Sequence, residues 1–174
     1  MDAAAHYRQL LRLGRDEFLA SAAPAALVRY RALDQAIVTG SHTLTVDTDY
    51  PDDAEVDGTL PYGKELPPET DLEVYPLAKK AGASFADRIT IGRTLNNDVV
   101  INDSSVSRLH AYIRRDGAGW MVADAGSKNG SWLRGSRLDA RRETAIPSRA
   151  VIRIGEVDLT FYTAADLFAA LGGS

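Results

Sequence analysis

The chain of 174 residues has no cysteine, so disulfides and thiolate metal sites are excluded and the fold must be held by packing alone. It has only three histidines, His6, His42 and His110, and they are too scattered to form a cluster with metal-ligand spacing. No metal and no cofactor is therefore expected. No apolar run approaches the roughly 20 residues needed to cross a bilayer, and the opening "MDAAAHYRQLLRLGRDEF" has no basic region leading into an apolar core. The expectation is a cytoplasmic protein with no membrane partner. A strong excess of charge of one sign is also missing, since the net charge is only −4. Residues 1–85 carry 8 Lys+Arg against 14 Asp+Glu, and residues 86–174 carry 12 against 10. So mild a basic excess is too weak for a nucleic-acid footprint, yet it suits a compact anionic ligand wherever a few arginines converge. With 45% apolar and 25% charged residues, the chain has enough material for one globular core plus an extension. Its richness in Ala, Arg and Asp fits a bacterial source.

Near the start, Tyr7, Leu10, Leu11 and Phe18 fall on one face of a helix, which predicts a helix from Ala3 to Leu19 running through Gly14 and stopped before Pro24. "LVRYRAL" and "HTLTVDT" alternate like strands, although the first is equally compatible with helix. Asp47 to Asp57 then holds six carboxylates in eleven residues, and "GTLPYGKELPPET" adds Gly and Pro punctuation, which together read as a solvated connection. A calcium loop would need Gly at its sixth position, where this chain has Asp52, preceded by Pro51. Thr48, Thr59 and Thr70 lie in or near this connection and are candidate phosphorylation sites for self-association or autoinhibition, with an inert linker as the preferred reading.

Beyond it come short β-type runs separated by turns: "DLEVYPL", "DRITIG", "DVVIN", "LHAYIRR", "GWMVADA", "GSWLRG", "AVIRIG" and "VDLTFYT". Such spacing predicts an all-β sandwich. Strand alternation places Leu109, Ala111 and Ile113 on one face and His110, Tyr112 and Arg114 on the other. "RDGAGW" and "RIGEVD" read as hairpin turns. "TAADLFAAL" begins a final helix with Thr163 as N-cap and Asp166 three residues on, and its Leu167, Phe168 and Leu171 form an apolar stripe. The first helix is expected to pack beside it, away from the loops at the sheet ends. The division is 1–69 for a helical and extended N-terminal extension, 70–163 for the sandwich and 164–174 for the closing helix.

Sandwich loops gather at the sheet ends, and three of them are polar: "IGRTLNND", "NDSSVSRLH" and "DAGSKNGSW". They offer Arg93 and Arg108, the hydroxyls of Ser105 and Ser107, Lys128, the amide of Asn129 and the backbone donors that glycines leave open. All of these groups donate hydrogen bonds. A donating, positively charged surface matches a phosphate monoester, with three acceptor oxygens and a charge of about −1.5 to −2. From the residues alone the conclusion is "anion".

The three motifs Gly-Arg, Ser-x-x-His and Asn-Gly, in this order and spacing over roughly residues 70 to 163, resemble the forkhead-associated (FHA) domain. The resemblance implies a mainly β fold, an FHA-like sandwich of two twisted sheets, that binds phosphothreonine peptides through loops at one end. It implies that Arg93, following Gly92, contacts the phosphate, that Ser107 donates to it, and that Arg108 flanks it. His110 is implied to brace the loop rather than touch the ligand. Asn129 is implied to hold the peptide backbone, with Gly130 permitting the turn, while Ser105 and Lys128 add a hydroxyl and a charge. Where the family usually has Asn-Gly-Thr, this chain has Ser131, a change expected to affect packing more than phosphate binding.

An activated serine is the rival for Ser107 and His110, but it needs an orienting carboxylate and an oxyanion hole, and no Gly-x-Ser-x-Gly elbow is present. No catalytic residue is assigned. Arg134, Arg137, Arg141, Arg142, Arg149 and Arg153 are dispersed among acids without interleaved aromatics, which reads as a solvated face rather than a nucleic-acid surface. The sequence thus points to a non-catalytic adaptor in Ser/Thr kinase signalling whose partner is a threonine-phosphorylated protein or peptide. A phosphate-independent scaffold or self-assembly module is the alternative.

Overall fold

Eleven strands and three helices make up the computed structural model, which describes residues 2–30, 72–81, 85–117 and 119–173. The acidic connection, "HTLTVDT", Thr48, Thr59 and Thr70 lie outside the described residues. The strands are β1 (Ala25–Tyr30), β2 (Leu72–Pro76), β3 (Ile89–Gly92), β4 (Val99–Val100), β5 (Ala111–Asp116) and β6 (Gly119–Asp124), followed by β7 (Ser131–Leu133), β8 (Ser136–Arg137), β9 (Thr144–Ala145), β10 (Val151–Ile154) and β11 (Val157–Thr163). One sheet has the order β2-β1-β11-β10-β7-β8 and the other β4-β3-β5-β6-β9. All named pairs are antiparallel except β3 with β4.

The inner faces of both sheets supply one core, including Leu27, Ile91, Ile113, Val122, Ile152 and Leu159. Alternation explains the choice of face: along β10, Ile152 and Ile154 point in while Arg153 stays exposed between them. Trp120 and Phe161 meet across this core with ring centroids 6.0 Å apart.

A second apolar cluster lies on the outer face of the larger sheet. Ala26, Val28 and Tyr30 of β1 and Tyr162 of β11 are covered there by three helices, α1 (Ala3–Arg12), α2 (Arg15–Ser21) and α3 (Ala164–Ala170). Phe18 is fully buried between Tyr7 and Phe168, with ring centroids 5.7 and 5.3 Å away. Helices from the two ends of the chain therefore pack together, and burying the Phe18 side chain contributes about 1.5–3 kcal/mol. Thr163 caps α3 by accepting a hydrogen bond from the Asp166 N–H.

Two sequence expectations are corrected here. The single helix through Gly14 is two helices, because Gly14 adopts φ 97°, a left-handed value that a residue with a side chain resists. The expected faces are exchanged for the two residues just before β5: His110 is fully buried and Leu109 is 40% exposed. The strand begins only at Ala111, and the preceding residues bend, so strand parity does not reach them.

β1, inside the expected extension, pairs with both β2 and β11 and belongs to the sandwich itself.

Candidate functional site

Three loops converge at one end of the sandwich: residues 93–98 between β3 and β4, 101–110 between β4 and β5, and 125–130 between β6 and β7. Close backbone approach sets them. A Cβ on Gly92 would collide with the Arg108 carbonyl, so only glycine lets the first two loops touch there. Asn97, 2% exposed, stitches them from the side. Its Nδ2 donates to the Arg108 carbonyl at 2.6 Å and to the Thr94 carbonyl at 2.9 Å.

His110 ties the second loop to the third. The Ser107 N–H donates to Nδ1 at 2.9 Å, so Nδ1 carries no proton, and Nε2 then donates to the Gly130 carbonyl at 2.9 Å. Burial pushes the imidazole pKa below its usual value of 6.5, against the opposing pull of the Gly130 bond and of Asp124.

The third loop is organised around Asp124. One carboxylate oxygen accepts from the Gly126 and Ser127 N–H groups, each at 2.9 Å, and the other accepts from the hydroxyls of Ser127 and Ser131 at 2.5 and 2.6 Å. Burial pushes the Asp124 pKa up, but the hydrogen bonds from Ser127 and Ser131 outweigh it and hold the carboxyl below its ordinary value. Ser131 is fully buried, so the residue that departs from the family pattern serves this carboxylate.

On this scaffold the structure brings Arg93, Ser107, Arg108, Lys128 and Asn129 around one depression of about 590 Å³. Arg93 is anchored at its base: its N–H donates to the Ser107 carbonyl and its Nε to the Val106 carbonyl, both at 3.0 Å, which directs the terminal nitrogens outward. The Ser107 hydroxyl accepts from the Lys128 N–H at 3.1 Å and keeps its own proton to donate. Asn129 spends its Nδ2 on the Ser105 carbonyl at 2.8 Å, leaving its carbonyl oxygen as an acceptor. Arg93, Arg108, Lys128 and Asn129 are exposed, and no described carboxylate lies within ion-pair distance of these three cations.

Ser105 also lines this depression, but it is bonded differently from the other candidates. It is 8% exposed, and its hydroxyl donates to Asp103 at 2.7 Å while accepting from the Glu156 N–H at 2.9 Å. Those bonds make it a brace between the second loop and the β10–β11 turn. Gly130, at φ 87°, supplies the carbonyl that His110 grips.

Asn97 and Asp124 are positioning residues that sequence reasoning passed over. Asn97 stood inside the quoted "IGRTLNND" and Asp124 opened "DAGSKNGSW", but their partners across the loops are invisible in one dimension. The dispersed arginines also acquire an aromatic neighbour in space, since Arg137 and Arg153 lie 5.6 and 6.0 Å from the Trp132 ring centroid.

The chemistry available is binding. Donors and positive charge, with Arg93 and Ser107 anchored by hydrogen bonds to the loops, surround an open depression next to one amide oxygen able to accept from a peptide N–H. Comparison with known proteins agrees in kind. The family model for the FHA domain matches residues 89–155. The chain is 30% identical over 120 residues to the glycogen accumulation regulator GarA of Mycolicibacterium smegmatis, covering 67% of this chain and 74% of that protein. It is 31% identical over 105 residues to the oxoglutarate dehydrogenase inhibitor of Corynebacterium jeikeium, covering 58% of this chain and 71% of that one. It is also 33% identical over 69 residues to an FHA domain-containing protein of Arabidopsis thaliana, covering 39% of this chain but only 18% of the plant protein.

Proposed function

The chain belongs to the FHA domain family, and from that premise we propose that it is a non-catalytic adaptor that binds a threonine-phosphorylated protein in Ser/Thr kinase signalling. The observation that carries this reading is the set of open donors of Arg93, Ser107, Arg108 and Lys128 around one depression beside the free carbonyl oxygen of Asn129. Arg93 and Ser107 hold the phosphate, Arg108 and Lys128 add positive potential, and Asn129 receives a backbone N–H of the bound segment. Ser105, Gly92, His110 and Gly130 keep the loops in place.

Nothing in this arrangement calls for a nucleophile. His110 is buried and commits both ring nitrogens to the backbone, so its lone pair is not offered to the Ser107 hydroxyl. A regulator and an inhibitor among the relatives, as their names describe them, suit a protein that acts by occupying a partner. A separate kinase supplies the phosphate, and the cytoplasm, where ATP is abundant, is the matching location.

The deciding experiment measures binding to a threonine peptide library in phosphorylated and unmodified form. Binding that appears only with phosphate supports the adaptor. Equal binding of both forms makes the sandwich a phosphate-independent scaffold.

A further inference from the structure

Apolar side chains are unevenly spread over the surface. Among the described residues five large hydrophobics are exposed, and two of them, Leu13 and Leu19, sit at the helices. The other three surround the phosphate-binding loops: Phe85 is 41%, Leu95 78% and Leu109 40% exposed. Phe85 and Leu109 line a recess of about 370 Å³ together with Thr90, Thr94, Asn96, Asn97 and Arg108. Leu95 lies between Thr94 and Asn96 on its rim.

This recess adjoins the phosphate depression, since Arg108 and Leu109 line both. It is also built in advance of any ligand. Asn97 fixes one wall to the other, the Thr94 hydroxyl donates to the Arg108 carbonyl at 3.1 Å, and Lys80 Nζ donates to the Leu95 carbonyl at 2.8 Å. Phe85 is supported by the Arg88 guanidinium 5.5 Å from its ring centroid, and Arg88 in turn lies 4.5 Å from that of Tyr112. A pre-ordered recess loses little entropy when a side chain enters it, so apolar burial against Phe85 and Leu109 adds directly to affinity.

Resting on the phosphothreonine-binding reading above, we infer that the Phe85–Leu109 recess selects an apolar side chain of the phosphorylated partner, a few residues from the phosphothreonine on the stretch that leaves the depression over Leu109 rather than over Asn129. The occupant is fixed by continuity. A segment whose phosphate is held beside Arg108 must cross Leu109 to leave in that direction, and the side chains it meets there include the exposed Leu109 and Phe85.

The test uses one glycine-flanked phosphothreonine peptide and a series in which a single leucine is moved through the positions on either side, with affinities measured for the full chain by calorimetry. Leucine at one or two positions on one side of the phosphothreonine should tighten binding about tenfold. Phe85→Ser, and separately Leu109→Ser, should reduce that gain to about twofold or less, while Phe85→Ser leaves the affinity for the glycine-flanked peptide unchanged. The inference is overturned if no leucine position helps, or if the gain survives both substitutions. It is equally overturned if the chain instead binds vesicles of phosphatidylcholine and phosphatidylserine in a manner abolished by Phe85→Ser. Should phosphopeptides bind with no apolar preference, only this inference fails; should none bind, with or without leucine, the phosphothreonine reading fails with it.

Discussion

The Ser107 N–H is held 2.9 Å from Nδ1 of His110, three residues further along the chain, and the same imidazole reaches the Gly130 carbonyl through Nε2. One buried ring thus sets the serine of the second loop and the turn of the third. His110→Ala removes both bonds and leaves a cavity, which should cost about 2–4 kcal/mol of stability. Phosphopeptide affinity should fall at least about tenfold with it. Thermal unfolding and calorimetry on the same preparation check the pair, and a loss of affinity without a loss of stability would make His110 a ligand contact.

The same ring predicts a pH dependence. In the unfolded chain the imidazole takes up a proton as pH falls through 6.5, whereas burial keeps it neutral in the fold until lower pH. The unfolded state then binds more protons, so stability drops as pH falls from about 6.5 towards the lowered folded value. Denaturant midpoints should show wild type losing stability across this window relative to His110→Ala. A difference between the two that stays flat across it contradicts the assignment.

Arg93→Ala should weaken phosphopeptide binding about 100-fold or more, since hydrogen bonds to a charged group contribute roughly 1.5–3 kcal/mol each and two would be lost. The side chain is exposed, so the melting temperature should move by no more than a few degrees. Wild-type-like affinity in this variant removes Arg93 from the site.

Asp124→Asn replaces an all-acceptor group by one that must present an amide to surrounding donors. Its four hydrogen bonds order the third loop. Expected are a stability loss of about 1–3 kcal/mol and weaker peptide binding, although Asp124 never meets the peptide. Unchanged affinity would show that the loop keeps its shape without the carboxylate.

Phe18→Ala separates the helical layer from the site. The ring is fully buried between Tyr7 and Phe168, so the variant should lose about 3–5 kcal/mol in denaturant unfolding. Affinity measured well below the melting temperature should stay within about twofold, because this cluster lies on the outer face of the larger sheet. A selective loss of binding would mean that the helices influence the loops.

That Arg93, Ser107 and Asn129 come together at one depression was legible in the sequence because they sit in short motifs whose order survives in one dimension. Most of the strands were legible too, each carrying period-two alternation or a turn at its end. β1 was legible only in part, since "LVRYRAL" alternates like a strand yet suits a helix equally: Ala25 and Leu27 face the inner core while Ala26, Val28 and Tyr30 face the helices, so both faces carry apolar residues. β8 and β9 have two residues each, too few for any period. The burial of His110 and the work of Asn97 and Asp124 depend on partners brought in by folding. The saturation of the Ser105 hydroxyl needs Glu156, 51 positions away.

The placement of β1 between β2 and β11 bears on how the protein can be cut. A fragment started at the family-matched segment, or at residue 70, would drop an interior strand, leave β2 without its neighbour and bare the hydrogen-bonding edge of β11. Expression trials that trim to the recognisable domain should therefore yield sticky, self-pairing material, whereas boundaries chosen upstream of Ala25 keep the sheet whole.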